Sequence, residues 1–302
     1  MKKLAFLFLT IKNPNFPKLW DSYFRGHKEK YSLYIHPKNP DLLTWHKASM
    51  IKNLQPTEWG FITRAYMELL KAAYTNPDNY KFVTLSESCV PIQSFKQFHE
   101  AAINDPRSWI KKMNISKYNM LARIQTQKTE PKPAQFLKNY ARFCLNRDHV
   151  RLLIEKEKKG QLEFFHKMHV GDEFFLSVLY PLKNVRDFAV TYDDWDYVHK
   201  KKAEIRAKIN NLKKMPSQNA QSEIDKLWAQ FDNIAKNPKT ITNVKPDLQQ
   251  ILKCDSYFYR KFSIESDIGN YWKEIIKYHE LHPQSKNKNR DGDKTEKNII
   301  DK

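Results

Sequence analysis

The strongest constraint on the fold is the opening run of short alternating elements. Residues 4–11 read LAFLFLTI, an apolar stretch of eight residues. It is too short to span a bilayer. Lys12-Asn13-Pro14-Asn15 follows it with no small-residue cleavage site, so it reads as a buried strand rather than a signal peptide. In 16–24 (FPKLWDSYF), Phe16, Leu19, Trp20, Tyr23 and Phe24 recur at helical spacing. Residues 31–36 (YSLYIH) form a second strand, stopped by Pro37. Strand, helix, strand in so few residues predicts parallel pairing through a crossover helix.

The alternation continues. Helices are predicted over 61–74, 94–103, 147–159 and 171–182, the last with two acids in its first turn. Strands are predicted over 81–85, 140–145 and 188–192, and the polar, proline-bearing stretch 104–135 reads as loop with short elements. The fold class is therefore α/β, a mixed and mainly parallel sheet flanked by helices. Residues 197–236 break the rhythm. A basic helix over 200–214 and a second helix over 222–235 flank the turn Pro216-Ser217-Gln218-Asn219, which predicts an inserted helical hairpin. From Lys286 the chain is rich in Asn, Lys and Asp. One domain over 1–283 followed by a disordered polar tail over 284–302 is expected.

Composition removes several function classes. With 40 % hydrophobic and 13 % aromatic residues in 302, the chain can bury a sizeable core. Cys89, Cys144 and Cys254 are widely spaced and odd in number, which argues against a disulfide scaffold or a cysteine zinc site. Six glycines and no GxGxxG argue against a glycine-rich phosphate cradle. The net charge of +19 invites a polyanionic partner, but no RNP, zinc-finger or recognition-helix pattern accompanies it, so nucleic acid is not the expected ligand. Peripheral association with an anionic membrane surface stays open. The absence of a signal peptide or transmembrane segment suggests a cytoplasmic or peripheral-membrane protein, and the Lys- and Asn-rich composition a bacterial or large-virus setting.

Four groups of residues could carry chemistry. Asp172-Glu173 is an acidic pair at a predicted helix start, where free N–H groups favour carboxylates for purely structural reasons; one of them could also face a pocket as a general base. Phe258-Tyr259-Arg260-Lys261-Phe262 places two cations inside an aromatic run. That is either a solvated edge or an anion site, which Lys239 could join. Ser86-Glu87-Ser88-Cys89 follows the strand 81–85, and open α/β sheets bind ligands beyond the carboxyl ends of their strands. Asp194-Trp195-Asp196 spells D-x-D, a weak pattern for a divalent ion.

Taken in chain order, 31–38 (YSLYIHPK), Glu58-Trp59-Gly60, 82–92 (FVTLSESCVPI), 143–150 (FCLNRDHV), 171–176 (GDEFFL), 191–195 (TYDDW) and 258–262 (FYRKF) resemble the core-2/I-branching enzyme family of β-glycosyltransferases. The resemblance is closest to its compact plant and microbial branch. It implies a GT-A-like fold and an inverting, metal-independent transfer of N-acetylglucosamine or xylose from a UDP-sugar to a glycan hydroxyl. It places the base on Glu173 and the diphosphate on Lys261, Lys239 and Arg260. Thr10, His36, Trp59, Glu87, Ser88, Asp194 and Trp195 are the expected lining of the donor and acceptor pocket. No cofactor or metal is expected.

Two features depart from the family. Pro37 stands where many relatives have an acid that contacts the nucleoside. The hairpin 197–236 is longer than the link expected there. The competing expectation is a non-catalytic protein that binds glycans or polyanions on a degenerate transferase fold.

Overall fold

The computed structural model describes residues 1–113, 136–214, 219–234 and 238–283. The opening run forms β1 (Lys3–Thr10), and α1 (Pro17–Phe24) follows with proline in its first turn, where no N–H partner is needed. β2 (Tyr31–Pro37) pairs parallel to one side of β1. After α2 (Thr63–Tyr74), β3 (Asn79–Ser86) pairs parallel to its other side. β4 (Val90–Pro91) precedes α3 (Phe95–Asn104), whose start is closed by a capping box between Ser94 and Gln97.

The next strands are short: β5 (Ser108–Trp109), β6 (Lys112–Met113), β7 (Lys138–Asn139) and β8 (Cys144–Asn146). Then come α4 (Arg147–Lys158), α5 (Glu163–Lys167), β9 (Val185–Arg186) and β10 (Thr191–Asp193). The hairpin helices are α6 (Asp196–Lys214) and α7 (Ala220–Asn233). The described chain closes with α8 (Leu248–Leu252), β11 (Phe258–Arg260) and α9 (Ile268–Leu281).

The main sheet runs β2-β1-β3-β8-β5-β9, with β2, β1 and β3 parallel, β8 antiparallel to both its neighbours, and β9 parallel to β5. A second sheet, β10-β11-β4, joins β10 and β11 in parallel and β11 and β4 antiparallel. The fold is thus the mixed, mainly parallel α/β arrangement that the alternation of elements predicts. β1 shows why its sequence is continuously apolar. Ala5 and Leu7 belong to the core on one face, while Leu4, Phe6 and Phe8 belong to the core on the other. A parallel strand covered on both faces leaves no position for a polar alternation. Phe6 sits among Tyr23, Phe24, Phe98 and Phe258, with centroids 4.9–6.4 Å away. The helix predicted around Trp20 is therefore fixed against the sheet by aromatic contacts.

The predicted helix over 171–182 does not form. Instead, 3₁₀ turns over Gly171–Glu173 and Phe175–Leu179 meet at Phe174, whose φ of −131° breaks the helix, and Val170 leads in at φ +54°. Phe174, Phe175 and Leu176 are consecutive and all buried, which an α-helix with a single apolar face does not satisfy. Close packing fixes the start as well: a Cβ on Gly171 would lie 2.0 Å from the Phe165 carbonyl oxygen. The strands predicted over 140–145 and 188–192 are shorter and shifted, to Cys144–Asn146 and Thr191–Asp193.

The hairpin forms as an antiparallel pair whose helices pack chiefly on each other. The less exposed positions of the pair, Val198, Lys202, Ile205, Ile209 and Leu212 on one helix and Ala220, Ile224, Leu227 and Phe231 on the other, step by four and three like a coiled-coil seam. The predicted tail over 284–302 lies outside the described residues.

Candidate active site

Three loops meet beyond the carboxyl ends of β1 and β3. The Asn15 backbone N–H donates to the Glu87 carbonyl at 2.8 Å, and Asn15 Nδ2 donates to the Phe262 carbonyl at 2.9 Å. The Phe262 N–H reaches the Ser88 carbonyl at 3.2 Å. On the other side of the same strand end, the Ile241 N–H donates to the Lys261 carbonyl at 2.7 Å, and the Lys239 N–H donates to the Asp194 carbonyl at 2.8 Å. Backbone bonds therefore gather Glu87, Ser88, Lys261, Lys239 and Asp194 from four separate stretches of sequence.

The cations in this cluster differ in what they already hold. An Arg260 guanidinium N–H donates to the Asp193 carboxylate at 2.7 Å across β10 and β11. Lys239 Nζ pairs with Asp247 at 2.5 Å. Lys261 has no such close pair among the described residues. Burial and then the neighbouring Arg260 hold its ammonium below the usual lysine range, with Glu87 acting in the opposite sense. It is the cation best placed to gain from an incoming anion.

Glu173 is partly exposed, with its carboxylate 3.2 Å from the Lys138 ammonium. Beside it, Asp172 is buried at 5 % exposure, and its Oδ1 has no hydrogen-bond partner among the described residues. Burial first, and then the adjacent Glu173, push the Asp172 carboxyl up to about 7. Arg142 and Arg260 act against that shift. Arg142 is itself buried and donates to the Tyr66 hydroxyl at 2.8 Å. Burial alone would lower its pKa, but Tyr66, Cys89, Asp193 and Asp172 together raise it. Arg142 thus links the Glu87–Lys261 cluster electrostatically to the acidic pair, since it acts on both Lys261 and Asp172.

The remaining predicted residues divide. Trp59 is 64 % exposed, and its ring lies 4.9 Å from that of His169. The Gly60 carbonyl accepts from the Val170 N–H at 2.6 Å, so Trp59 stands at the turn that leads into Glu173. Gly60 has φ +83°, and a Cβ there would run into the His169 ring, which is why only glycine suits this position. Trp195 is half-buried beside Asp194 at the root of the hairpin. Thr10 and His36 end neighbouring strands and use their side chains locally. Thr10 Oγ1 donates to the Lys12 carbonyl at 2.7 Å, and His36 Nε2 accepts from the Gln55 N–H at 2.9 Å.

The D-x-D carboxylates do not converge. Asp194 Oδ1 accepts from the Asp196 N–H at 3.2 Å, whereas Asp196 Oδ2 accepts from the Tyr192 hydroxyl at 3.1 Å. Among the described residues no cluster of three or more His, Cys, Asp or Glu side chains could hold a metal.

The sequence reading passed over Arg142, Tyr66 and Lys138. A signal for Arg142 existed, because it is a lone cation within the strand-like run Tyr140-Ala141-Arg142-Phe143-Cys144-Leu145. A charge in a run that must be buried needs a polar partner.

The Core-2/I-Branching enzyme family description matches residues 4–239, more than three quarters of the chain. The chain belongs to the core-2/I-branching enzyme family. This is a family of glycosyltransferases, and the match takes in every expected site residue except Arg260 and Lys261. The chain is also similar to a protein named Glycosyltransferase BC10 from Oryza sativa subsp. japonica, at 29 % identity over 118 residues. That similarity covers 36 % of this chain and 30 % of the rice protein, so the chain spans under a third of that relative's length. No helix among the described residues is long and apolar enough to cross a membrane.

Proposed function

We propose that the chain is an inverting, metal-independent β-glycosyltransferase, with residues 1–283 as its catalytic unit. It takes a UDP-sugar, with N-acetylglucosamine or xylose as the sugar, and a glycan hydroxyl as acceptor. The observation that supports the reading is the gathering of Lys261, Lys239 and Glu87 by backbone bonds beyond the strand ends, with Arg260 of the same strand acting electrostatically on Asp172.

Chemically the arrangement suffices. The Glu173 carboxylate accepts the proton from the acceptor hydroxyl as that oxygen attacks the anomeric carbon. The bond from the anomeric carbon to the diphosphate breaks on the opposite face, and its electron pair leaves with UDP. The Lys261 and Lys239 ammonium groups meet the charge that builds on the diphosphate, as a divalent ion would in a metal-dependent enzyme. Arg260, held by Asp193, fixes the strand that carries Lys261 and adds positive potential. Trp59 and Trp195 offer aromatic faces on the acceptor side.

A UDP-release screen with UDP-N-acetylglucosamine, UDP-xylose, UDP-galactose and UDP-glucose tests the proposal, with and without EDTA. Release from one of the first two donors, unchanged by EDTA, is the expected result. Turnover of none of the four would favour a glycan-binding protein on a degenerate fold. Activity lost to EDTA and restored by manganese would contradict the metal-independent mechanism.

A further inference from the structure

Two aromatic side chains near Glu173 stand largely in solvent. Trp59 is 64 % exposed and Phe61 is 42 % exposed. The Phe61 N–H donates to the Glu58 carbonyl at 2.9 Å and closes a tight turn over 58–61. Gly60 takes its third position at φ +83°, the left-handed place that type II turns reserve for glycine. Both rings meet one exposed imidazole. The His169 ring lies 4.9 Å from that of Trp59 and 5.5 Å from that of Phe61. Its nitrogens make no hydrogen bond among the described residues.

A single residue ties these rings to Glu173. The Val170 N–H donates to the Gly60 carbonyl at 2.6 Å, and the Glu173 N–H donates to the Val170 carbonyl at 3.0 Å. The backbone of Val170 therefore fills the gap between the turn that carries the rings and the residue proposed as base. From Val170 to Glu173 is one 3₁₀ turn, a rise of about 6 Å. That is the scale of one sugar residue. A saccharide whose hydroxyl reaches Glu173 thus has its next ring within reach of Trp59, Phe61 and His169.

A lone exposed indole is ordinary. Here three exposed rings meet at His169, held by a glycine turn and two backbone bonds. They make a preformed apolar face with an imidazole that can donate or accept a hydrogen bond. A pyranose matches it, with C–H groups on its face and hydroxyls around its edge. The neighbouring charges give no preference for a charged ligand. Arg64, just after the turn, is already paired with Glu163 at 3.0 Å. The exposed Glu58 and Lys167, which flank the rings in sequence, are of opposite sign. An anionic lipid surface would need a cationic face instead.

We propose that Trp59, Phe61 and His169 form an acceptor subsite that holds a neutral sugar ring next to the one bearing the attacking hydroxyl. The chain then selects acceptors of two or more sugars over monosaccharides. The word acceptor rests on the glycosyl-transfer reading above, but the stacking of a sugar on these rings does not.

The test uses the full chain and its Phe61→Ala and His169→Ala variants, with folding checked by circular dichroism. Phe61 is exposed at the turn, so its variant keeps the test valid if loss of His169, which packs on Gly60, disturbs the fold. The probes are neutral β-linked disaccharides of glucose, galactose and N-acetylglucosamine, the methyl glycosides of the three monosaccharides, and phosphatidylglycerol vesicles. Binding is followed by tryptophan fluorescence and by saturation transfer to the sugar C–H protons, with UDP binding measured in parallel. At least one disaccharide is expected to bind about tenfold more tightly than its monosaccharides, and each variant to lose about threefold to tenfold of that affinity. Disaccharides that bind no better than monosaccharides, or variants that bind them like the unmodified chain, overturn the proposal. So does a Phe61 dependence seen only with vesicles. Equal UDP release by variants and parent with a disaccharide acceptor would keep the transfer reading and remove the subsite. A chain that binds a disaccharide through Phe61 and His169 yet ignores UDP would sink the transfer reading and leave the subsite standing.

Discussion

The Lys138 ammonium stands 3.2 Å from the Glu173 carboxylate. The pair is partly exposed, with side chains at 23 % and 29 %, so it adds little to stability. Its consequence is positional. A glutamate with no other ion pair among the described residues, at the end of a one-turn 3₁₀ segment, is held in one place by a side chain from β7.

Lys138→Met should therefore separate catalysis from folding. The unfolding free energy from urea titration should change by less than about 1 kcal/mol, as for other exposed pairs. The turnover number should fall several-fold while UDP affinity is unchanged. Turnover equal to that of the unmodified chain would show that the pair has no positioning role.

Asp172 makes stability depend on pH. Its carboxyl titrates at about 7 in the folded chain, through burial and then the charge of Glu173. An unfolded aspartate titrates at about 3.9. Between those values the folded state binds more protons than the unfolded state. Stability is therefore greatest below the unfolded value and is lost as pH rises through the folded value. Asp172→Asn cannot ionise and should lack this loss. Thermal melts from pH 4 to pH 9 should show the variant gaining on the parent as pH rises, with the two converging at the acid end. Parallel curves throughout would mean that Asp172 is not buried as described.

The two lysines on the proposed diphosphate site should not be equivalent. Lys239 is already engaged by Asp247 at 2.5 Å, whereas Lys261 is partly buried with no close carboxylate partner among the described residues. Lys261→Met should weaken UDP binding by about tenfold or more, the scale of one charge-assisted contact. Lys239→Met should weaken it less, and Asp247→Asn, which releases Lys239, should tighten it. Calorimetric titration of UDP into the three variants gives the ranking. An order with Lys239→Met as the weakest binder would contradict it.

Much of the frame was legible from local pattern. β1 announced itself by its continuous apolar run, which both buried faces explain, and α3 forms where a helix is predicted over 94–103, its start closed by Ser94 and Gln97. The hairpin was legible because its two helices need nothing but each other. What was hidden depends on contacts distant in sequence. Helical spacing over 171–182 suggested a continuous helix, yet the packing of Gly171 on Phe165 and the burial of Phe174-Phe175-Leu176 break it into turns. Motif reading pointed to Glu173, Lys239 and Lys261, the residues of the proposed mechanism. It missed Arg142, whose partner Tyr66 lies 76 residues away on α2. It also made the D-x-D triplet look like a unit, although its two carboxylates serve separate hydrogen bonds.

The role of Glu173 as base is tested most directly by Glu173→Gln, which keeps the shape and removes the proton acceptor. UDP release in the presence of acceptor should fall by about 10²–10⁴-fold, the usual contribution of a general base. UDP affinity, measured on the same preparation, should stay within about twofold of the unmodified chain. A variant that still transfers sugar within about threefold of the parent rate would contradict the assignment and with it the proposed mechanism.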